Sequence, residues 1–202
     1  PSWNSYPIGL IEFNNKLYFS ADNGSTGTEL YVYDEISISL VEEVVVGSTA
    51  VQPRDLTVYS GGLYFTTYIG GNNESLYVFN GTNINLIFDY PLSSSVQNLK
   101  TFNNKLYFTA NANFGPKELF SYNGSTINLV DDMSSYEATA GIADFTIFNN
   151  SLYFINSASF NYNLLVMNTS ETISYSVPFF MNTPGLQYSY FKNNNDLYYT
   201  FQ

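Results

Sequence analysis

A tripeptide of leucine, tyrosine and an aromatic residue recurs along the whole chain at nearly constant spacing. The successive leucines are 46, 43, 46 and 45 residues apart (17 to 63, 63 to 106, 106 to 152 and 152 to 197). Because the sequence between the copies changes while the spacing does not, the pattern indicates a structural repeat of about 45 residues. The five copies are Leu17-Tyr18-Phe19, Leu63-Tyr64-Phe65, Leu106-Tyr107-Phe108, Leu152-Tyr153-Phe154 and the variant Leu197-Tyr198-Tyr199.

The residues around each copy predict two β-hairpins. A short apolar segment and an Asn- or Gly-rich pair precede every leucine, and such pairs favour two-residue hairpin turns because they tolerate positive φ. Further along each full repeat, a third apolar segment ends in Asp or Asn, and a fourth follows at once. The predicted first strands cover 10–13, 56–59, 99–102, 145–148 and 188–191. The predicted third and fourth strands cover 29–34 and 37–44, 75–80 and 83–90, 118–123 and 126–133, and 164–168 and 172–179.

Tight turns within each repeat and a long link between repeats predict an all-β fold, a β-propeller of four-stranded antiparallel blades whose first strands line the central channel. The Leu-Tyr-Phe strand is apolar on both faces, as expected of a blade that is buried between two neighbours. The predicted repeats are 7–52, 53–95, 96–141 and 142–183, with a half repeat at 184–202, in a single domain over 1–202. Five blades are the preferred interpretation. A β-sandwich is the alternative, since it also has short, regularly spaced strands.

The residue types that the chain lacks exclude several kinds of chemistry. It has no His and no Cys, which removes disulfides, thiolate or imidazole metal sites and Ser-His-Asp triads. Six basic residues against 17 acidic ones give a net charge of −11, so binding to nucleic acid or to an anionic membrane surface is disfavoured. No apolar stretch approaches the roughly 18 residues that span a bilayer, so no membrane insertion is predicted. The Asn-, Ser-, Thr- and Tyr-rich composition suggests an exported protein, and the start at Pro1 predicts a processed or excised piece.

The third and fourth predicted strands carry a resemblance to a known repeat. The segment GTELYVYD over 27–34 resembles the bacterial ELW-x-x-DGT repeat, and FNGT over 79–82 and NGS over 123–125 match its turn more closely. The Trp of that motif is replaced by Tyr31, Tyr77 or Phe120, and the fourth copy keeps neither its Glu nor its Gly. The resemblance extends over nearly the whole chain. It implies a β-propeller on exported or cell-surface bacterial proteins and no specific activity.

The carboxylates do not form the set that an enzyme would need. The pairs at 42–43 and 131–132 recur at the ends of predicted fourth strands, which favours a structural role over acid–base catalysis. Glu12, Asp55 and Asp144 lie on predicted first strands and form no obvious cluster. A glycosidase is therefore the least favoured alternative, and the chain is predicted not to be an enzyme and to use no cofactor.

Two other acidic features are interpreted as structural. The loop at 22–25 (Asp-Asn-Gly-Ser) offers oxygens to Ca²⁺, but the matching loops of the other repeats lack a carboxylate, so a plain polar loop and no metal site are predicted. Glu29 and Glu118 precede a core leucine of a third strand. They are predicted to accept backbone N–H groups and thereby to fix the connection between the second and third strands of their own blade.

Aromatic residues near the predicted loops between second and third strands are the candidate ligand-binding residues. Aromatic faces at loop tips stack on sugars or anchor a protein partner. The alternative is that they fold back over neighbouring blades. The four residues are Tyr68, Phe114, Phe160 and Tyr162.

The leading functional hypothesis is a non-enzymatic, extracellular or cell-surface binding or adhesion module with a protein or glycan ligand. The alternative is a structural subunit of a surface layer or filament. It follows from the half repeat, because a half blade exposes strand edges that invite pairing with another chain. Self-assembly through the incomplete fifth blade is the interaction expected in that case.

Overall fold

The computed structural model describes residues 5–44, 51–69, 73–89, 95–111, 116–133, 141–158, 161–179, 188–193 and 196–201. Every regular element in these ranges is a β-strand. The strands form four antiparallel sheets of four strands and one of two, and the strand order within each sheet follows the chain. The predicted pattern of four strands per repeat, with two in the half repeat, is confirmed. In this part of the chain no helix is long and apolar enough to cross a membrane.

Each sheet corresponds to one predicted repeat. The first sheet contains β1 (Ile8–Phe13), β2 (Lys16–Asp22), β3 (Thr28–Tyr33) and β4 (Ile38–Glu42). The second contains β5 (Pro53–Tyr59), β6 (Gly62–Ile69), β7 (Asn73–Phe79) and β8 (Ile84–Phe88). The third contains β9 (Gln97–Phe102), β10 (Lys105–Ala110), β11 (Glu118–Tyr122) and β12 (Ile127–Asp131). The fourth contains β13 (Gly141–Phe148), β14 (Ser151–Ala158), β15 (Asn161–Met167) and β16 (Ile173–Phe179), and the last contains β17 (Tyr188–Asn193) and β18 (Asp196–Phe201).

The turns between first and second strands have the predicted two-residue geometry. In three sheets the pair is Asn-Asn, with φ between 45° and 58° at all six residues, and in the second sheet it is Ser60-Gly61, with φ of 45° and 77°. Two consecutive positive φ values define the turn type whose twist matches that of the flanking strands, and asparagine and glycine tolerate it best. The Asn-Asn pairs are 14–15, 103–104 and 149–150.

The turns between third and fourth strands are held by one side chain each. The Oδ1 atom of the Asp or Asn that follows the third strand accepts hydrogen bonds from backbone N–H groups further along the turn, at distances of 2.8 to 3.1 Å. This is the local bonding that makes Asp and Asn frequent in turns. The four residues are Asp34, Asn80, Asn123 and Asn168.

A β-bulge interrupts the first strand of all four full sheets at the same position. The bulged residues are Gly9, Asp55, Asn98 and Asp144, with φ between 52° and 68°. Each first strand therefore begins two to four residues before its predicted start, on the far side of the bulge. Glycine, asparagine and aspartate are the residues that enter this region of φ at least cost.

The bulges of the second and third sheets are joined by a hydrogen bond. The carboxylate Oδ2 of Asp55 accepts the backbone N–H of Asn98 at 2.8 Å. Asp55 thus has two structural roles, since it adopts the positive φ of its own bulge and satisfies a backbone donor of the next one.

Replacing Asp55 by alanine is expected to lower the free energy of unfolding by about 1–2 kcal/mol, because the variant loses a charge-assisted hydrogen bond and strains the bulge. Asp55→Asn keeps an acceptor and the tolerance of positive φ, so its loss should be clearly smaller. Urea denaturation of both variants is the measurement. Equal stability of Asp55→Ala and the parent protein would contradict the assigned role.

The chain divides into two compact units. The first comprises residues 1–115 and 120–128, and the second comprises 116–119 and 129–202. Within the first unit the first strands of successive sheets are neighbours, with β1 beside β5 and β5 beside β9. This is the arrangement expected of inner strands in adjacent blades.

The sheets of the first unit pack face to face, and the Leu-Tyr-Phe strand of the second sheet is buried on both sides. Leu63 and Phe65 pack with Tyr18 and Leu30 of the first sheet, and both are fully buried. Tyr64, on the opposite face, packs in the cluster that the second sheet forms with the third. The prediction that this strand is sandwiched between two neighbours is therefore confirmed.

An aromatic triad closes each interface between sheets of the first unit. It consists of the last residue of a first strand, the tyrosine of the Leu-Tyr-Phe strand, and the last residue of the third strand of the next sheet. Ring centroids within a triad are 5.6 to 6.4 Å apart in edge-on or tilted orientations, the favourable range for aromatic pairs. The triads are Phe13, Tyr18 and Phe79, and Tyr59, Tyr64 and Tyr122.

Hydroxyl groups add a polar element to the second triad. The Tyr59 hydroxyl donates to the carbonyl oxygen of Asn104, at the hairpin turn of the third sheet, over 2.9 Å. Burial, and then the neighbouring Tyr122, raise the pKa of Tyr64 to about 12. The tyrosine is therefore a neutral packing residue at physiological pH.

The second unit has its own apolar core on the fourth sheet. Leu152, Phe154 and Leu165 are fully buried, and Phe154 meets Phe145 edge-on with centroids 5.6 Å apart. The two-stranded sheet β17–β18 pairs without the bulge that interrupts every other first strand.

Candidate functional site

The predicted aromatic site residues lie partly in strands rather than in loops. Tyr68 is the next-to-last residue of β6, and Tyr162 is the second residue of β15. Their predicted placement in loops between second and third strands is therefore wrong. Phe114 and Phe160 lie outside the described residues, and so does the side chain of Tyr162.

Tyr68 and Tyr162 lie in strands because the second and third strands pair over more residues than the sequence pattern predicted. In the second sheet the register runs to Ile69 opposite Asn73, which leaves only 70–72 as a connection. In the fourth sheet it runs to Ala158 opposite Asn161, which leaves 159–160. Tyrosine has a high propensity for β-strands, and continued pairing satisfies the backbone N–H and C=O groups of the residues involved. Both tyrosines are therefore part of the paired strands.

Tyr68 is half-buried and carries the chain's single arginine on its ring. The guanidinium carbon of Arg54 lies 5.2 Å from the centre of the Tyr68 ring, within the range of a cation–π contact. Arg54 also donates through Nη2 to Oε1 of Gln52. The Tyr68 backbone N–H in turn bonds to the carbonyl oxygen of Gln52 at 3.4 Å. These contacts fix the ring and the guanidinium relative to each other.

A buried carboxylate lies opposite Tyr68 in the same sheet. Glu74 pairs with Tyr68 in the strand register and is 6% exposed. Its Oε2 atom accepts the Ser95 hydroxyl at 2.6 Å and the Gln97 side-chain amide at 2.8 Å. Glu74 therefore connects the second sheet to the segment that starts the third, which makes the end of the sheet that bears Tyr68 rigid.

We call Gln52, Arg54, Tyr68 and Glu74 the Tyr68 patch. It offers a half-exposed aromatic ring and an exposed guanidinium with several donors in a fixed fork, next to a buried carboxylate that is hydrogen-bonded to Ser95 and Gln97. Such a surface suits the apolar face and hydroxyl groups of a sugar, or a side chain and carbonyl groups of a peptide. The sequence pattern indicated Tyr68 but neither Arg54 nor Glu74. The signal available for Arg54 was its uniqueness among 202 residues.

The loop considered for Ca²⁺ is closed by its own hydrogen bonds. Oδ1 of Asp22 accepts the N–H of Gly24 at 2.6 Å, and Oδ1 of Asn23 accepts the N–H groups of Ser25 and Thr26 at 2.8 and 3.0 Å. Among the residues that the structure describes, no three acidic side chains are grouped so that they could hold a metal ion.

Three of the carboxylates considered for catalysis, Glu42, Asp55 and Asp131, accept backbone N–H groups. Glu42 accepts the N–H of Ile84 in the neighbouring sheet at 2.9 Å, and Asp131 accepts the N–H of Met133 at 2.7 Å. Asp55 and Asp144 occupy equivalent bulges, one of them bonded as described above. Asp144 is exposed, yet partial desolvation by the surrounding protein raises the pKa of its carboxyl.

Glu29 accepts a backbone N–H, but from a different segment than the sequence suggested. Its Oε2 atom lies 3.4 Å from the nitrogen of Val44, which follows the fourth strand, so it does not fix the connection between the second and third strands. The side chain is fully buried, and Oε1 has no hydrogen-bond partner in the described part of the chain. Burial, opposed by the Val44 bond and reinforced by Glu43, raises the pKa of Glu29 to about 7.

Glu29 is expected to make the protein less stable as the pH rises from about 4.5 to about 7. The unfolded chain releases this proton near its ordinary pKa, whereas the folded chain retains it until about 7. Folding therefore takes up a proton in that window, and stability falls through it. Thermal melting of Glu29→Gln should show a weaker loss between these limits, with the exposed Glu35→Gln as the control. Identical pH profiles for Glu29→Gln and the parent protein would contradict this role.

Comparison with known proteins relates the chain to others through its fold alone. No family model and no curated protein matches the sequence. Among solved structures, the chain is similar to one from a study of two prolyl endopeptidases, with a TM-score of 0.66, 12% identity, and 93% of this chain and 30% of that one covered. Oligopeptidase B from Leishmania major matches with a TM-score of 0.61, 7% identity and coverage of 90% and 28%. TolB from Acinetobacter baumannii matches with a TM-score of 0.54, 11% identity and coverage of 96% and 51%.

These likenesses confirm the predicted all-β, propeller-like fold. The matched parts of the peptidases and of TolB are β-propeller domains. The chain spans between 28% and 51% of the length of these three structures. At 7–12% identity the likeness extends to the fold and assigns no peptidase activity to this chain.

Proposed function

We propose that this chain is a non-enzymatic, extracellular or cell-surface binding module that recognises a glycan or protein ligand through the Tyr68 patch. The observation that carries the proposal is the contact between Arg54 and Tyr68. It places the only arginine of a strongly acidic chain on a half-exposed aromatic ring. Tyrosine and arginine are among the residue types that are enriched where binding energy is concentrated.

The rigidity behind the patch supports the same proposal. Glu74 is held by two hydrogen bonds from the segment that begins the third sheet. A ligand that binds a pre-organised surface loses less conformational entropy than one that must order it. Glu74 is the single carboxylate of the patch, so the patch lacks the pair of carboxylates suited to acid–base chemistry. For this reason we favour binding over catalysis.

The proposal is tested by presenting the chain to a glycan array and to immobilised extracellular matrix proteins. A Tyr68→Ala, Arg54→Ala double variant is probed in parallel. We expect at least one ligand that the parent protein retains and the double variant does not. Blank results for the parent protein on both surfaces, or equal retention of both proteins, would overturn the proposal.

A structural subunit of a surface layer or filament is the second candidate. It is favoured by the sheet β17–β18, which has two strands in the described part of the chain, whereas the four other sheets have four strands each. A neighbouring subunit that supplied two strands would complete it. Under this hypothesis, light scattering at rising protein concentration gives a mass above that of the monomer. A constant monomer mass would exclude it.

A further inference from the structure

The guanidinium of Arg54 has no carboxylate partner in the described part of the chain, although the protein carries 17 acidic residues. Its two contacts there are with the Gln52 side chain and with the Tyr68 ring, and both of these groups are neutral. The bond to Gln52 uses one of the five N–H donors of the guanidinium. The exposed Arg54 side chain therefore offers a ligand both its positive charge and further donors.

The third sheet shows what Arg54 lacks. Gln97 occupies the position of Arg54 there, since both residues pair with the threonine that lies three places after the leucine of the Leu-Tyr-Phe strand. Gln97 donates to the carboxylate of Glu74 in the preceding sheet at 2.8 Å. In the sheet that precedes Arg54, the position of Glu74 is occupied by Thr28, because both pair with the residue five places after that leucine. The repeat position that supplies a carboxylate to Gln97 thus carries a neutral residue in the case of Arg54.

Two carboxylates close to the patch in the sheet accept other donors. Asp55, next to Arg54 in the chain, accepts the backbone N–H of the bulge in the third sheet at 2.8 Å. Glu74, opposite Tyr68 in the register, accepts two side-chain donors from the start of the third sheet at 2.6 and 2.8 Å. Neither carboxylate makes a direct ion pair with Arg54. The charge of Arg54 is therefore available to an anionic group of a ligand.

The net charge of the chain makes this cation a selective one. At −11 the protein repels anions at long range, and it has only five lysines besides Arg54. An anionic ligand is therefore not held by a diffuse attraction to the surface. It needs a direct contact with a particular cation, and Arg54 provides one beside a half-exposed aromatic ring.

We propose that the Tyr68 patch binds a glycan through a carboxylated sugar. The carboxylate pairs with the guanidinium of Arg54, and C–H groups of the sugar ring lie against the exposed part of the Tyr68 ring. This inference rests on the proposed function and narrows its ligand to an acidic glycan.

The spacing within the patch favours a sugar over an acidic peptide. The guanidinium carbon and the centre of the Tyr68 ring are 5.2 Å apart, so the two groups of the ligand that they contact must also be close together. In uronates and sialic acids the carboxylate is bonded directly to a carbon of the sugar ring. In an acidic peptide, rotatable methylene groups separate the carboxylate from the backbone, and fixing them on binding costs conformational entropy.

Isothermal titration with matched pairs of sugars tests the proposal. The acidic probes are short oligomers of galacturonate and of glucuronate, and sialyllactose, which separate uronates from sialic acids as the source of the carboxylate. Each is compared with its methyl ester, which keeps the sugar ring and removes the charge. We expect at least one acidic probe to bind, and its ester to bind about tenfold more weakly or worse, because hydrogen bonds to charged groups are the stronger ones.

Variants of the two cations identify the contact. Arg54→Gln should weaken binding of the acidic probe about tenfold or more and abolish the preference for the acid over its ester. Arg54→Lys keeps the charge but loses the planar fork, so its loss should be intermediate. Lys16→Gln is the matched control, because it changes the net charge equally at an exposed residue outside the patch and should leave binding unchanged. Circular dichroism of all three variants establishes that they are folded.

The outcomes separate this inference from the proposed function. Equal binding of acid and ester, or equal losses for Arg54→Gln and Lys16→Gln, would overturn the carboxylated sugar. Tighter binding of an oligoglutamate peptide than of every acidic sugar would overturn it in favour of an acidic protein. If no acidic sugar binds while the arrays yield a neutral glycan or a protein that the Tyr68→Ala, Arg54→Ala double variant does not retain, this inference fails and the proposed function stands. Blank arrays together with no binding of the acidic sugars would overturn both.

Discussion

Replacing Phe65 by alanine is expected to lower the free energy of unfolding of the first unit by about 3–5 kcal/mol, which is the range for large-to-small changes at fully buried aromatic sites. Phe65 is completely buried and stacks on Tyr77, with ring centroids 6.0 Å apart and planes 14° from parallel. It lies in the cluster that joins the first sheet to the second. The cavity would therefore weaken an interface between sheets as well as the sheet itself.

Denaturant unfolding monitored by tyrosine fluorescence measures this loss. Leu86→Ala is the matched control, because Leu86 is in the same sheet and 52% exposed, and a change at such a site usually costs less than about 0.5 kcal/mol. A loss below about 1 kcal/mol for Phe65→Ala would show that the sheets do not depend on each other for stability.

Arg54→Ala and Tyr68→Ala are each expected to weaken binding of the ligand found on the arrays by about tenfold or more, the effect typical of central aromatic and arginine residues in binding sites. Arg54→Ala removes both the donors and the cation above the ring. Tyr68→Ala removes the ring on which the guanidinium rests. Because the two side chains touch, the double variant should lose less than the sum of the single losses.

Isothermal titration with that ligand gives the affinities. Lys16→Ala is the control, since it removes an exposed cation at the hairpin end of the first sheet and leaves the Tyr68 patch intact. Equal losses for Lys16→Ala and Arg54→Ala would mean that the ligand responds to net charge alone. Unchanged affinity of both single variants would place the binding site elsewhere.

Much of the fold could be predicted because the same pattern of turn residues and apolar residues recurs in every repeat. Asn-Asn and Ser-Gly pairs at fixed distances before each leucine specified the hairpin turns, and Asp or Asn after the third strands specified the others. Apolar residues on both faces of 63–65 predicted burial between two sheets, and the structure confirms it.

The bulges could not be predicted from alternation of apolar and polar residues. Gly9, Asp55, Asn98 and Asp144 resemble the loop residues that usually precede a strand, so the first strands were predicted to begin after them. A bulge keeps such a residue inside the strand by changing the register on one side only. The sequence signal for the bulge was that Gly, Asp or Asn occupies this same position in all four full repeats.

The candidate site was predicted only in part, because its members are far apart in sequence. Tyr68 was found from its type, but its placement depended on how far β6 and β7 pair. Arg54 reaches Tyr68 across the pairing of β5 with β6, and Glu74 reaches Gln97 between two sheets. Contacts of this kind follow from the packing of the fold and not from a local pattern.

Hydrogen exchange with and without the ligand from the arrays tests the proposed binding role most directly. We predict that the ligand slows exchange in 51–54 and 66–69, the segments that carry Gln52, Arg54 and Tyr68 of the patch, and leaves the hairpin turns at 14–15 and 103–104 unchanged. Protection that falls at the turns instead, or that is absent from both segments of the patch, would contradict it.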